Sequence, residues 1–115
     1  MAPTIVLDQQ GKLHAVLGSP GGSQIIPYVA KTLVGLLDWK LDPQVAVDLP
    51  NFGSRNGPTE LEAGTEAEGW KSELEARGHE VKLIDMNSGI QAIVVGPEGL
   101  TGGADSRREG VAIGN

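Results

Sequence analysis

Five residues, Gly18-Ser-Pro-Gly-Gly22, separate two apolar segments and constrain the fold more than any other stretch of the chain. Neither a strand nor a helix runs through them. Glycine readily takes dihedrals closed to other residues, and Pro20 lacks a backbone donor. Before them, Leu13 to Leu17 is an apolar, strand-like run. After them, Ile26, Val29, Ala30, Leu33, Val34 and Leu37 recur at spacings of three and four, which predicts a helix from Ile25 to Asp38. Ser23 is the expected N-cap of that helix, and Pro27 is tolerated because it falls in the first turn. The predicted unit is strand, glycine turn, helix.

The flanking segments extend it. Thr4 to Leu7 is β-branched and apolar, and Asp8-Gln-Gln-Gly11 is a type I turn that folds it back on Leu13 to Leu17. Asp42-Pro43 opens a short helix that stops before Pro50. Residues 51–64 are rich in glycine and proline and are expected as a surface loop, with at most a short strand near Thr59 to Glu62. Thr65-x-x-Glu68 fits a capping box. In the helix it opens, Ala67, Trp70 and Leu74 share a face, Glu73 pairs with Arg77, and Gly78 ends the run. Val81 to Ile84 and Ile90 to Val95 are strand-like, and Gly96-Pro-Glu-Gly99 turns the second of these into a further hairpin. From Gly102 onward little regular pattern is visible. The expectation is an α+β fold, an antiparallel sheet with helices packed on one face, formed by residues 1–115 as a single domain.

Composition narrows the chemistry. Among 115 residues there is no cysteine, so disulfides, thiolate zinc sites and a cysteine nucleophile are excluded. Fifteen acids against nine bases give a net charge of −6, which argues against nonspecific nucleic-acid binding and against a basic membrane-surface patch. The longest apolar stretch, Ile25 to Trp39, is broken by Pro27, Lys31 and Asp38 and is too short to span a bilayer. Met1-Ala-Pro-Thr shows no signal peptide. His14 and His79 are isolated, with no carboxylate at ligand spacing, so no metal site and no cofactor are expected. Glu60, Glu62, Glu66, Glu68, Glu73 and Glu75 are expected on a solvated face. Asp105 and Arg107 are expected as an ion pair that fastens the tail.

A glycine turn between strand and helix aims free backbone N–H groups, at the positive end of the helix, toward an anion or a developing oxyanion. Specific versions are excluded. The turn lacks the Lys-Ser/Thr ending of a P-loop and does not match G-x-G-x-x-G. Ser19 is not in a G-x-S-x-G elbow, because Leu17 stands where the first glycine belongs. On residue types alone, an oxyanion role and a purely structural turn both fit.

A resemblance adds to this. Pro3-Thr4-Ile5-Val6-Leu7-Asp8, then Val16 to Val29 with its Gly-Ser-Pro-Gly-Gly-Ser core, then Leu37-Asp38-Trp39, resembles the C-terminal part of the small subunit of gamma-glutamyltransferases. Ala46 to Phe52, Gly78-His79-Glu80-Val81, Gly89 to Ile93, Gly103-Ala104-Asp105 and Arg107 to Gly110 agree with it, so the resemblance covers essentially the whole chain. It implies an N-terminal-nucleophile hydrolase, an αββα sandwich whose exposed threonine attacks the gamma-glutamyl carbonyl of glutathione and related amides. Gly21 and Gly22 match the pair whose backbone amides form the oxyanion hole.

The resemblance also shows what is missing. The family nucleophile stands in a Thr-Thr-His-like segment upstream, whereas Thr4, Thr32, Thr59, Thr65 and Thr101 are followed by Ile, Leu, Glu, Glu and Gly. The serines that bind substrate in the family would precede Met1. The chain is therefore expected to be a C-terminal fragment, inactive alone, whose partner is the upstream remainder of the parent protein. Gamma-glutamyl small molecules would bind only the complete enzyme. Family members are commonly periplasmic or extracellular. Gln24 stands where the family usually has Arg, and Gly53, Ser54 and the Ala-Asp-Ser-Arg order near the end also depart from it. The alternative is a stand-alone binding or assembly module. The Ile26–Leu37 stripe is expected as core or interface. If isolated, the chain would then form a homo-oligomer through it.

Overall fold

The computed structural model describes residues 1–114. In chain order the elements are β1 (Thr4–Leu7), β2 (Leu13–Gly18), α1 (Ile25–Leu37), α2 (Pro43–Asp48), β3 (Phe52–Ser54), β4 (Thr59–Glu62), α3 (Lys71–Ala76), β5 (Val81–Ile84), β6 (Gln91–Gly96) and β7 (Gly99–Ala104). Short 3-10 turns over Gly22–Gln24 and Glu66–Trp70 lead into α1 and α3. The fold class is α+β. Internal contacts divide the chain into two compact units. One comprises Met1–Leu49 with the segment from Ser88 onward, and the other is Pro50–Asn87.

The first unit holds an antiparallel sheet in the order β1-β2-β6-β7. The pairs Ala15↔Val94, Leu17↔Ala92 and Ala92↔Gly103 put these residues on one face, where Ala15, Leu17, Ala92 and Gly103 are buried. Helix α2 sits on that face. A Cβ built on Gly103 would lie 2.6 Å from the Pro43 carbonyl carbon, so only glycine admits the contact. The opposite face carries Ile5, Ile93 and Leu100, all exposed. The turn from Asp8 to Gly11 forms as expected, with Gly11 N–H donating to Asp8 O at 3.0 Å.

Helix α1 forms over the expected residues but buries a different face. The core side is Tyr28, Val29, Lys31, Thr32, Gly35 and Leu36, whereas Ile26 (77% exposed), Ala30 and Val34 face outward. Lys31, Thr32 and Gly35 take the inward side because each gains something there. The Lys31 ammonium donates to the carbonyls of Val47 (2.7 Å), Leu49 (2.6 Å) and Ala46 (3.4 Å), satisfying the C-terminal end of α2. The Thr32 hydroxyl donates to Tyr28 O at 2.9 Å. Gly35 lets α2 approach: a Cβ there would meet Ala46 Cβ at 3.2 Å and Leu49 Cδ1 at 3.1 Å. At the other end of α2, Asp42 caps Gln44 N–H at 3.0 Å with Pro43 in the first position, as expected.

The second unit departs from the expectation in three ways. Residues 51–64 contain a hairpin, β3 on β4, rather than a loop with one strand. β4 and β5 pair in parallel, so the sheet β3-β4-β5 is mixed and not antiparallel throughout. Parallel neighbours need a crossover of a dozen or more residues, and the segment opened by Thr65 is that crossover. Finally, the helix predicted from Thr65 is broken into a 3-10 turn and α3, with Gly69 weakening the helix at the break. The capping box is shifted. Thr65 Oγ1 accepts from Ala67 N–H at 3.2 Å, but Glu68 Oε1 accepts from Gly64 N–H, not from Thr65. Ala67 and Leu74 pack with Leu61 and Val81 in the small core, while Trp70 is exposed and lies edge-on to Phe52. Glu73 pairs with Arg77 at 2.9 Å, and Gly78, with φ +91, ends the helix as expected.

Candidate functional site

The glycine turn leaves β2 at Gly18 and enters α1 through one 3-10 turn. Gly21 has φ +142 and Gly22 has φ +60, two successive conformations that side chains oppose. Gly21 is further confined by the buried Tyr28 ring, 2.7 Å from where a Cβ would stand, whereas a Cβ on Gly22 would meet nothing within 4 Å. The Gly21 carbonyl accepts from Gln24 N–H at 3.1 Å, and the Gly22 carbonyl accepts from Ile25 N–H. A trans peptide points its N–H opposite its C=O. Anchoring the Gly21 carbonyl to Gln24 therefore turns the Gly22 N–H the other way. Among the described residues, no hydrogen bond takes up the Gly21 or Gly22 amide.

Ser23 does not act as the expected N-cap. It lies inside the 3-10 turn, and neither this turn nor α1 has a side-chain cap bond. The cap position falls two residues earlier, on Gly21. No acid occupies the first turn of α1, so its N-terminal dipole is not neutralised by its own side chains. Pro27 falls in that first turn, where its missing N–H breaks no helical bond.

Behind the turn lies a buried polar cluster absent from the sequence expectations. Ser19, Ser88 and Asp105 are fully buried. Asp105 Oδ2 accepts from Ser88 Oγ (2.5 Å) and Ile90 N–H (3.1 Å), and Oδ1 accepts from the Arg107 backbone (3.1 Å) and guanidinium (3.0 Å). The expected Asp105–Arg107 ion pair thus forms, and Arg107 also reaches the carbonyls of Val47 and Leu49. The adjoining Ser106 hydrogen-bonds Asp48. Burial by itself would raise the Asp48 pKa, but hydrogen bonds from Gln44 and Ser106, with the Arg107 charge, hold it below its usual value. His14 is half-buried in β2 and His79 is exposed. Among the described residues no group of three His, Cys, Asp or Glu could hold a metal ion, and no helix is long and apolar enough to cross a membrane.

Comparison with known proteins assigns the turn a context. The family described as gamma-glutamyltranspeptidase matches residues 1–115. The chain belongs to that family. It is 41% identical over 110 residues to the glutathione hydrolase proenzyme of Escherichia coli, covering 93% of this chain and 19% of that protein. To the acylase ACY 1 proenzyme of a Pseudomonas species (strain SE83) it is 35% identical over 115 residues, covering 98% of this chain and 20% of the relative. An acivicin-inhibited gamma-glutamyltranspeptidase structure superposes with a TM-score of 0.84 at 32% identity, over 95% of this chain and 61% of that one. The enzyme from Pseudomonas nitroreducens complexed with L-DON superposes at 0.83 and 27% identity, over 100% and 62%. The chain thus spans about a fifth of the curated relatives it matches. These neighbours are N-terminal-nucleophile hydrolases, in keeping with the fold expected from the resemblance.

Proposed function

We propose that this chain supplies the oxyanion-binding turn of an enzyme that transfers or hydrolyses gamma-glutamyl groups of glutathione and related amides. The observation that carries the reading is the Gly21–Gly22 pair: two successive amides without internal acceptors, at the entry to α1. Nucleophilic attack on an acyl carbonyl converts its oxygen to an oxyanion, and two fixed N–H donors stabilise that charge more than the ground-state carbonyl. Collapse of that tetrahedral species breaks the amide C–N bond, expels the protonated amine and leaves the acyl group on the nucleophile, from which it passes to water or to another amine.

In this reading the nucleophile lies outside these residues, and the chain alone is inactive. The threonines in hand support that. The hydroxyls of Thr4, Thr32 and Thr65 each donate to a nearby carbonyl, and Thr59 and Thr101 lie within strands. The partner is the upstream part of the parent protein, and the substrates are gamma-glutamyl small molecules. A second reading, a self-associating module without catalysis, is favoured by the exposed Ile5, Ile93 and Leu100 on one sheet face. Release of the aniline from a gamma-glutamyl anilide separates the two. The chain alone is expected to release none, while its mixture with the upstream part of the parent protein turns over. Replacing Gly22 by valine, which obstructs the amides, lowers that turnover by about a hundredfold or more. Turnover by the chain alone overturns the reading, as does a mixture that stays inactive while the chain is a stable dimer.

A further inference from the structure

The Gly21 amide belongs to the Pro20–Gly21 peptide, so whatever holds the Pro20 carbonyl also aims the Gly21 N–H. That carbonyl accepts from Ser19 Oγ at 2.7 Å. Ser19 Oγ in turn accepts from Gly89 N–H at 3.1 Å. A backbone N–H can only donate, so the Ser19 hydroxyl proton is left for Pro20 O, and the direction of the relay is determined. The relay joins residues seventy positions apart. Gly89 is itself held on both sides, because Asp105 Oδ2 takes the Ser88 hydroxyl and the Ile90 N–H. Contact is tight: a Cβ on Gly89 would lie 3.0 Å from Pro20 Cγ and 2.7 Å from Arg108 Cδ.

We infer that Ser19 is a positioning residue. Its hydroxyl, backed by the buried Ser88–Gly89–Asp105 cluster, locks the Pro20–Gly21 peptide with its carbonyl inward and the Gly21 N–H outward. The two amides of the turn are therefore aimed by different means, Gly22 by a local bond from Gln24 and Gly21 by a relay from the far side of the unit. Without the Ser19 hydroxyl the Pro20 carbonyl loses the hydrogen bond that holds it, and glycine at position 21 lets the Pro20–Gly21 peptide rotate more freely. The catalytic meaning of this rests on the oxyanion reading above, whereas the geometry is measurable without it.

The test is amide NMR on the full 115-residue chain. In the wild-type protein the Ser19 hydroxyl proton is expected to exchange slowly with water and to show a cross-peak to the Gly89 N–H. Ser19→Ala is expected to shift or broaden the Gly21 amide while the Gly35 and Gly103 amides, in the same unit, keep their positions. Ser88→Ala should move the Gly21 amide less. A purely structural role for Ser19 would instead change the melting temperature or move the Gly21, Gly35 and Gly103 amides together. The inference is overturned if the wild-type hydroxyl exchanges freely, or if Ser19→Ala folds with its Gly21 amide unmoved. Should the amide move while turnover of the assembled enzyme is unchanged, the positioning stands and the oxyanion reading fails.

Discussion

At Gly21 and Gly22, two neighbouring glycines have different reasons to be glycine. Alanine at position 21 would carry φ +142, a region L-residues scarcely enter, and drive its Cβ into the buried Tyr28 ring. Backbone strain and overpacking together predict a loss of about 2–5 kcal/mol. Alanine at position 22 would have open space and φ +60, a left-handed conformation costing about 1 kcal/mol. Urea unfolding of the two variants checks the order, Gly21→Ala well below Gly22→Ala in midpoint. Equal effects would mean that the Tyr28 ring yields freely. The glycine pair was legible in the sequence as a turn. The steric difference between its members was not, because it depends on where Tyr28 comes to lie once α1 packs.

Among the elements, α2 is held at its C-terminal end by two cations from distant parts of the chain. Lys31 and Arg107 both donate to the carbonyls of Val47 and Leu49. Six residues make too short a helix to stand alone, so these donors and the contact with β7 at Gly103 support it. Lys31→Met keeps the stem and removes the ammonium, leaving buried carbonyls short of a donor. The expected loss is on the order of 2–4 kcal/mol, as for a buried charged hydrogen-bond donor. Because Arg107 shares two of those acceptors, Lys31→Met and Arg107→Ala should be non-additive by about 0.5 kcal/mol or more in a double-mutant cycle. Additive losses would mean that the two cations act independently. The same contact explains why the apolar stripe of α1 is not the face it buries here: a lysine reads as outward unless carbonyls await it.

At the scale of the molecule, the two units have cores of different kinds. Residues 50–87 rely on a cluster built from Leu61, Ala67, Val81 and Leu74, whereas the other unit buries residues from three strands and two helices. Leu61→Ala should remove about 2–5 kcal/mol from the smaller core. Native-state hydrogen exchange is expected to show the amides of β4 and β5 losing protection while those of β2 and β6 keep theirs. Equal loss throughout would mean that the chain unfolds as one cooperative body.

The sequence by itself determined the pieces whose causes are local. These were the strand, glycine turn and helix at residues 13–37, the capped start at Asp42-Pro43, the stop at Gly78 and the turn at Gly96–Gly99. Its motif order also carried the family resemblance that the comparisons then established. Tertiary structure alone decided the rest. It placed Gly89 against Ser19 and Ser88 against Asp105, turned Lys31 inward, and made β5 a parallel neighbour of β4. Local preferences arise within a turn or two of backbone. Each of the latter depends on which distant segment arrives with a donor, an acceptor or an open sheet edge, and that is settled only when the strands have paired.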